Sequence, residues 1–145
     1  MKLRTLLILP LAVVLLSACS QGRNEAASYR HSIFHVIAWH FGTLGAMAKG
    51  EQPFDPATFE KKANILAELS TLPWEGFQPD SAEGSDAKPA IWENRADFDS
   101  KAETFQNEAR TLARLAGEGD QQAMFSQVGE VGKACKACHQ EYRKD

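Results

Sequence analysis

Apolar residues recur at helical spacing along most of this chain, and no stretch of useful length alternates strictly between apolar and polar, so the pattern predicts helices and no sheet. The first helix is expected over Ala27 to Lys49, closed by Gly50 with Pro53 beyond it. With Phe34 as origin and about 100° per residue, Phe34, Ile37, Ala38, Phe41, Leu44, Gly45 and Ala48 fall in one sector, a stripe facing a core. Val36 and Trp39 point away from it. A helix apolar on more than one side has two things to cover. The second cover is expected to be a partner subunit, making a homodimer through helix 1 and helix 2. Helix 2 opens at Asp55-Pro56, with Asp as cap and Pro at the first helical position. Phe59, Ala63, Leu66, Leu69 and Leu72 recur near the helical period until Pro73.

Trp74 and Phe77 then sit in a polar loop running through Ser85, where they are expected to plug one end of the molecule or pack on a cofactor edge. Helix 3 is expected to begin at or near Asp86, with Ile91 and Trp92 opening its apolar face. Phe98, Ala102, Phe105, Ala109, Leu112 and Ala116 then alternate four and three apart until Gly117 and Gly119 break the helix. Helix 4 starts at Asp120 and carries Phe125, Val128, Val131, Cys135, Cys138 and Tyr142 on or near one face. Four helices with an axial apolar stripe in each predict an all-α, antiparallel up-down-up-down four-helix bundle.

The N-terminus breaks this pattern. Lys2 and Arg4 precede an uninterrupted apolar run from Leu6 to Leu16, too short for a spanning helix and suited to an export signal. The run ends Leu16-Ser17-Ala18-Cys19, small residues before a cysteine, as in a bacterial lipoprotein box. Residues 1–18 are therefore expected to be a lipoprotein signal peptide, 19–26 a tether lipidated at Cys19, and 27–145 the bundle. Acyl chains on Cys19 would hold the domain at a membrane, since each buried CH₂ contributes about 0.8 kcal/mol. Ser20, where an Asp would mark inner-membrane retention, points to the periplasmic side of the outer membrane.

Composition adds little beyond exclusions. At 145 residues, 43% hydrophobic and 24% charged, the chain is an ordinary single globular domain. Its net charge is −3, and loss of residues 1–18 leaves 14 basic residues against 19 acidic ones. With no basic cluster, nucleic acid is not an expected partner.

The chemistry sits at the C-terminal end. Cys135-Lys136-Ala137-Cys138-His139 is the attachment signature of a c-type haem. Two thiols three apart share a helix face and reach two vinyl groups of one porphyrin, while His139 follows closely enough to ligate the iron. A thioredoxin-like redox pair would open a helix in a βαβ unit, and a zinc site needs more ligands. Neither context is present. One covalent haem c is the expected cofactor, with Cys135 and Cys138 as anchors and His139 as the metal ligand. Only six residues follow His139, so any second axial ligand must come from upstream.

These residues together resemble the cytochrome c′ family along nearly the whole mature chain. The matching features are Tyr29-Arg30, His40-Phe41-Gly42, Leu72-Pro73-Trp74, Asp86-Ala87-Lys88-Pro89-Ala90-Ile91-Trp92, and the terminal Cys-x-x-Cys-His with Tyr142-Arg143. The lipoprotein-type leader departs from the family's usual secretory signal. The resemblance implies the same bundle, and it places Phe34 over the iron. It places Arg30, His31 and Asp86 as haem contacts, Arg30 and His31 near the propionates, and Arg143 beside His139, in reach of a gas bound on that side. Arg143 also reads as a helix-terminal cation that complements the dipole.

Candidate upstream ligands are His31, His35, His40, Met47 and Met124. Met124 lies on the haem helix itself and cannot cross to the far side. His40 and Met47, about 240° and 220° from Phe34, are expected to point away from the core stripe. His31 and His35, at about 60° and 100°, lie nearer its edge, where one could bind iron or an adventitious metal, or both could be surface residues. With the apolar Phe34 at that place, the resemblance implies a five-coordinate iron that binds NO and CO and protects against nitrosative stress. The alternative is a periplasmic electron carrier to a redox partner. Enzymatic activity such as a peroxidase is not expected, because no distal acid–base pair is evident.

Overall fold

The structure, a computed structural model, describes residues 24–144. The expected signal peptide, the lipidation at Cys19 and most of the tether lie outside the described residues. Among the described residues the elements are α1 (Glu25–Ala48), α2 (Pro56–Leu69), a 3-10 turn (Pro73–Gly76), α3 (Ala90–Glu93), α4 (Arg95–Glu118) and α5 (Gln121–Tyr142). The four long helices pack in sequence, α1 on α2, α2 on α4 and α4 on α5, in an up-down-up-down bundle. The only β-type pairing among these residues is one antiparallel bridge between Ala87 and Arg143. No described helix is long and apolar enough to cross a membrane.

Local chemistry sets the helix ends. The side chains of Asn24, Asp55 and Asp120 accept hydrogen bonds from the backbone N–H groups of Ala27, Thr58 and Ala123, satisfying donors that have no partner inside the helix. The cap at Asn24 starts α1 two residues earlier than expected, so Glu25 and Ala26 belong to the bundle and not to the tether. At the end of α4 it is Gly119, in a left-handed conformation at φ 81°, that stops the helix, while Gly117 lies inside it. The expected single helix from Asp86 is two pieces. Asn94 adopts φ −119°, ψ 46°, outside the helical region, and separates the short α3 from α4.

The α4 stripe is buried as expected: Phe98, Ala102, Phe105, Ala109, Leu112 and Ala116 all face inward. In α1 the buried set is Ala27, Arg30, Ile37, Leu44 and Met47. Its axis runs nearer Ile37 and Leu44 than Phe34, rotated by roughly 40° from the expected stripe. The expectation that Met47 points away is therefore wrong. It is 5% exposed and packs in the main core with Phe59, Leu66, Leu112 and Met124. His40 is half-buried, with an Nδ1 that is shielded from solvent and has no hydrogen-bond partner among the described residues. Phe34 is half-buried, at the edge of the core. Val36 and Trp39 do point outward, with Trp39 74% exposed.

The segment after α2 is tightly bound to α1. Tyr29 Oη donates to Glu75 Oε1 at 2.5 Å, and the backbone at Gly76 runs against α1. A Cβ at Gly76 would lie 2.9 Å from the Ala26 carbonyl oxygen and 3.0 Å from Arg30 Cβ. Neither is the free end of a flexible side chain. Gly76→Ala is expected to destabilise the protein by about 1–3 kcal/mol, because overpacking here must displace backbone. A urea denaturation midpoint equal to wild type would refute this close approach.

Candidate haem site

The three packed interfaces leave the fourth side of the ring, between α1 and α5, only sparsely closed. At one level it is shut: a Cβ at Gly132 on α5 would lie 3.6 Å from Phe41 Cζ on α1. The helices run antiparallel. Seven residues back along α1 from Phe41 is Phe34, and seven residues forward along α5 from Gly132 is His139. Each step is about 10 Å of helix, so Phe34 and His139 stand at the same level on opposite walls of a cleft.

That cleft lies where two hydrophobic clusters meet. Phe34 and Trp74 pack against both. Cys135 packs against the larger one, and Cys138 against the smaller one of Phe77, Ala87, Ile91, Phe98 and Tyr142. The rings of Phe34 and Trp74 meet edge-on at 5.8 Å, and Trp74 Nε1 donates to the Ser70 carbonyl at 2.6 Å, which fixes the indole. The sequence-predicted residues Cys135, Cys138, His139 and Phe34 are thus brought to one cleft.

The donor chemistry fits a covalently held haem. Cys135 and Cys138 are half-buried free thiols. Burial pushes both up to about 11, with help from Cys138 for Cys135 and from Asp97, opposed by Lys101, for Cys138, so both carry their protons at neutral pH. His139 is half-buried, and burial first and the Arg143 guanidinium second hold its pKa below the ordinary histidine value. It is therefore a neutral imidazole at pH 7, the form that ligates a metal. None of the hydrogen bonds among the described side chains engages its ring.

The haem helix is tied down at its end. The backbone N–H of Lys88 donates to the Tyr142 carbonyl at 2.9 Å, and that of Lys144 donates to the Asp86 carbonyl at 2.8 Å. Tyr142 Oη donates to Asp97 Oδ2 at 2.5 Å, and its ring packs edge-on against Phe98. The bond to Asp97, then burial, pushes the Tyr142 phenol up to about 12. A folded pKa raised above the unfolded value of about 10 means that this bond contributes stability fully below pH 10 and loses it as pH rises towards 12. The difference in melting temperature between wild type and Tyr142→Phe is expected to be constant from pH 7 to 9 and to shrink between pH 10 and 12. A constant difference across that range would exclude the bond.

The other predicted contacts are distributed differently. Arg30 is 4% exposed, and its guanidinium is largely committed to the protein. It donates to the Gly76 and Ser81 carbonyls and to the Ser81 and Ser85 hydroxyls, and it lies over the Phe77 ring at 4.8 Å. Only Nε–H is left without a partner for a propionate. The residue's evident work is to hold the 77–85 loop. His31 is exposed on α1, as is His35. Asp86 is exposed and contributes its backbone carbonyl to the C-terminal pairing. Arg143 is exposed, one turn from His139, at the C-cap of α5. Met124 is a core residue, as is Met47.

Sequence reading missed Trp74 as the residue joining the two clusters, Arg30 as a loop anchor, and the Tyr142–Asp97 tie. The Leu72-Pro73-Trp74 motif flagged the first. The other two join residues 45 or more positions apart, and no local signal marks them.

Comparison with known proteins bears on the same residues. The family described as Cytochrome C' matches residues 25–143. Cytochrome c' of Alcaligenes xylosoxydans xylosoxydans is 40% identical over 121 residues, covering 83% of this chain and 94% of that protein. The solved structure of cytochrome c prime from Shewanella frigidimarina is 44% identical, with a TM-score of 0.82 over 83% of this chain and 95% of the other. A nitric oxide complex of a mutant cytochrome c prime from Alcaligenes xylosoxidans is 40% identical, with a TM-score of 0.79 over 83% and 94%.

Proposed function

This chain belongs to the cytochrome c′ family, and on that premise we propose that it is a gas-binding haem protein that captures NO, and also CO, and limits nitrosative damage. Its cofactor is haem c, covalently bound. That group supplies an iron able to take a diatomic ligand. The observation that carries the reading is Phe34, a residue without a ligating atom, standing level with His139 across the α1–α5 cleft. The nitric oxide complex of a 40% identical relative supports the choice of gas.

The chain's own residues then have distinct tasks. Cys135 and Cys138 fix the group to α5, and His139 offers it a neutral nitrogen. Phe34 and Trp74 wall the opposite side, exclude water and donate no hydrogen bond to a bound gas. Such a wall disfavours O₂, which gains from a distal donor, relative to NO and CO. Arg143, one turn beyond His139, would donate a hydrogen bond to a gas bound beside that histidine.

Two further parts of the reading concern place and assembly. The leader ending at Cys19 supports an exported, lipid-anchored protein on the periplasmic side of a bacterial membrane. The outward Trp39 and Val36 on α1, 74% and 43% exposed, support a homodimer through α1 and α2.

The test is the visible spectrum of the ferrous protein with and without NO. A high-spin, five-coordinate spectrum that changes on adding NO is expected, with no stable O₂ complex of comparable affinity. A low-spin, six-coordinate spectrum in both redox states would replace this reading with an electron carrier.

A further inference from the structure

We propose that His31 and His35 form a surface site for a borderline divalent cation, Cu(II) before Zn(II) or Ni(II), on the outer edge of α1. The two residues stand at i and i+4, so their side chains leave the helix on one line, one turn apart. Both are exposed. Their ring centroids are 5.9 Å apart with the planes inclined at 61°, so the rings are not stacked and their nitrogens can converge. Neither imidazole takes part in a hydrogen bond or an ion pair among the described residues, whereas neighbouring Ser32 is bonded to the Ser28 carbonyl.

The distance is compatible with one shared ion. An imidazole nitrogen sits about 2.1 Å from such a metal, and the ring centre lies about 1.1 Å further out. Two rings on one ion therefore have centroids at most about 6.4 Å apart. The observed 5.9 Å falls inside that span, and small rotations of two exposed side chains close it to the angle the metal prefers.

Donor type selects the cation. Two neutral nitrogens without a carboxylate suit Cu(II), Ni(II) and Zn(II) and give Mg(II) or Ca(II) nothing to hold. No group of three or more His, Cys, Asp or Glu side chains suited to a metal is found among the described residues, so water completes the coordination. Cu(II) stands first because the stability order of first-row divalent ions peaks there. The site is separate from the haem ligand His139, which lies on α5 across the cleft.

The test uses the haem-loaded protein titrated with Cu(II), followed by calorimetry and by EPR, where the copper signal is distinct from that of high-spin ferric haem. One copper per chain is expected to bind saturably in the micromolar range, with nitrogen hyperfine structure from two imidazoles. His35→Gln is expected to weaken binding at least tenfold, about 1.4 kcal/mol, with the haem spectrum unchanged. Unaltered copper affinity in His35→Gln, a single-nitrogen signal, or no saturable site below about 100 µM, a free energy near −5.5 kcal/mol, would each overturn the proposal.

Discussion

A protein in which Cys135 and Cys138 are both alanine is expected to lose its haem completely to acid–acetone extraction, whereas wild type retains all of it. The two thiols are the only described cysteines, they lie one turn apart on α5, and they pack against the two clusters that Phe34 also touches. Non-covalent holding would rest on His139 alone and on contacts with Phe34, Trp74 and the smaller cluster. Acid–acetone is acidic enough to protonate His139 even though burial and Arg143 depress its pKa, and the protonated imidazole no longer ligates. The helices should survive the exchange, since neither thiol belongs to the fully buried core. Each single variant should keep one bond and resist extraction. The readout is Soret absorbance in the organic and aqueous phases. Haem that stays with the double variant would place the attachment elsewhere.

The second large effect is expected from Phe34→Ala. Association of CO with the ferrous protein should accelerate at least tenfold, corresponding to about 1.4 kcal/mol of barrier removed. The ring is held edge-on by Trp74 at 5.8 Å and by Phe77 at 6.3 Å, and its loss would open space beside the bound group. Removing a fully buried phenylalanine costs about 3–5 kcal/mol. Phe34 is only half-buried, so the loss of stability should be smaller, roughly 1–2 kcal/mol, and the bundle should remain folded at 25 °C. Flash photolysis measures the rate, and thermal melting the stability. A CO rate within a factor of two of wild type, with the stability loss present, would make Phe34 an ordinary core aromatic.

How much of this was legible in the sequence depends on the distance over which each interaction acts. The α4 stripe from Phe98 to Ala116 was read in full, because α4 packs on both neighbours with one continuous face. The α1 stripe was read with the wrong axis. Phe34 and Phe41 look like core by composition, but they are only partly buried at its edge on the α1–α5 side, and Met47 fills the interior instead. A long unbranched side chain adapts to such a place, and periodicity alone cannot rank it above phenylalanine. Asn94 went unnoticed as a break because the apolar spacing runs on across it from Ile91 to Phe98.

The site divides in the same way. Cys135, Cys138 and His139 are legible because covalent attachment demands a local spacing. Phe34 was placed by resemblance, and the Phe41–Gly132 contact now gives it a geometric reason. Arg30 was expected at a propionate, yet most of its donors are taken by the 77–85 loop, a count that only three-dimensional neighbours reveal.

The sparse α1–α5 interface also bears on how the chain reaches its native state. Every well-packed pair of long helices joins neighbours along the chain, two of them across short loops and α2–α4 across the segment 70–94. Such local pairings are the fast steps of folding. The pair that would have to bring the two ends of the domain together, with the largest loop-closure entropy, is the one that side chains leave unfinished. The slowest contact to make is thus not required for the helices to assemble, and the cleft stays accessible until the haem occupies it.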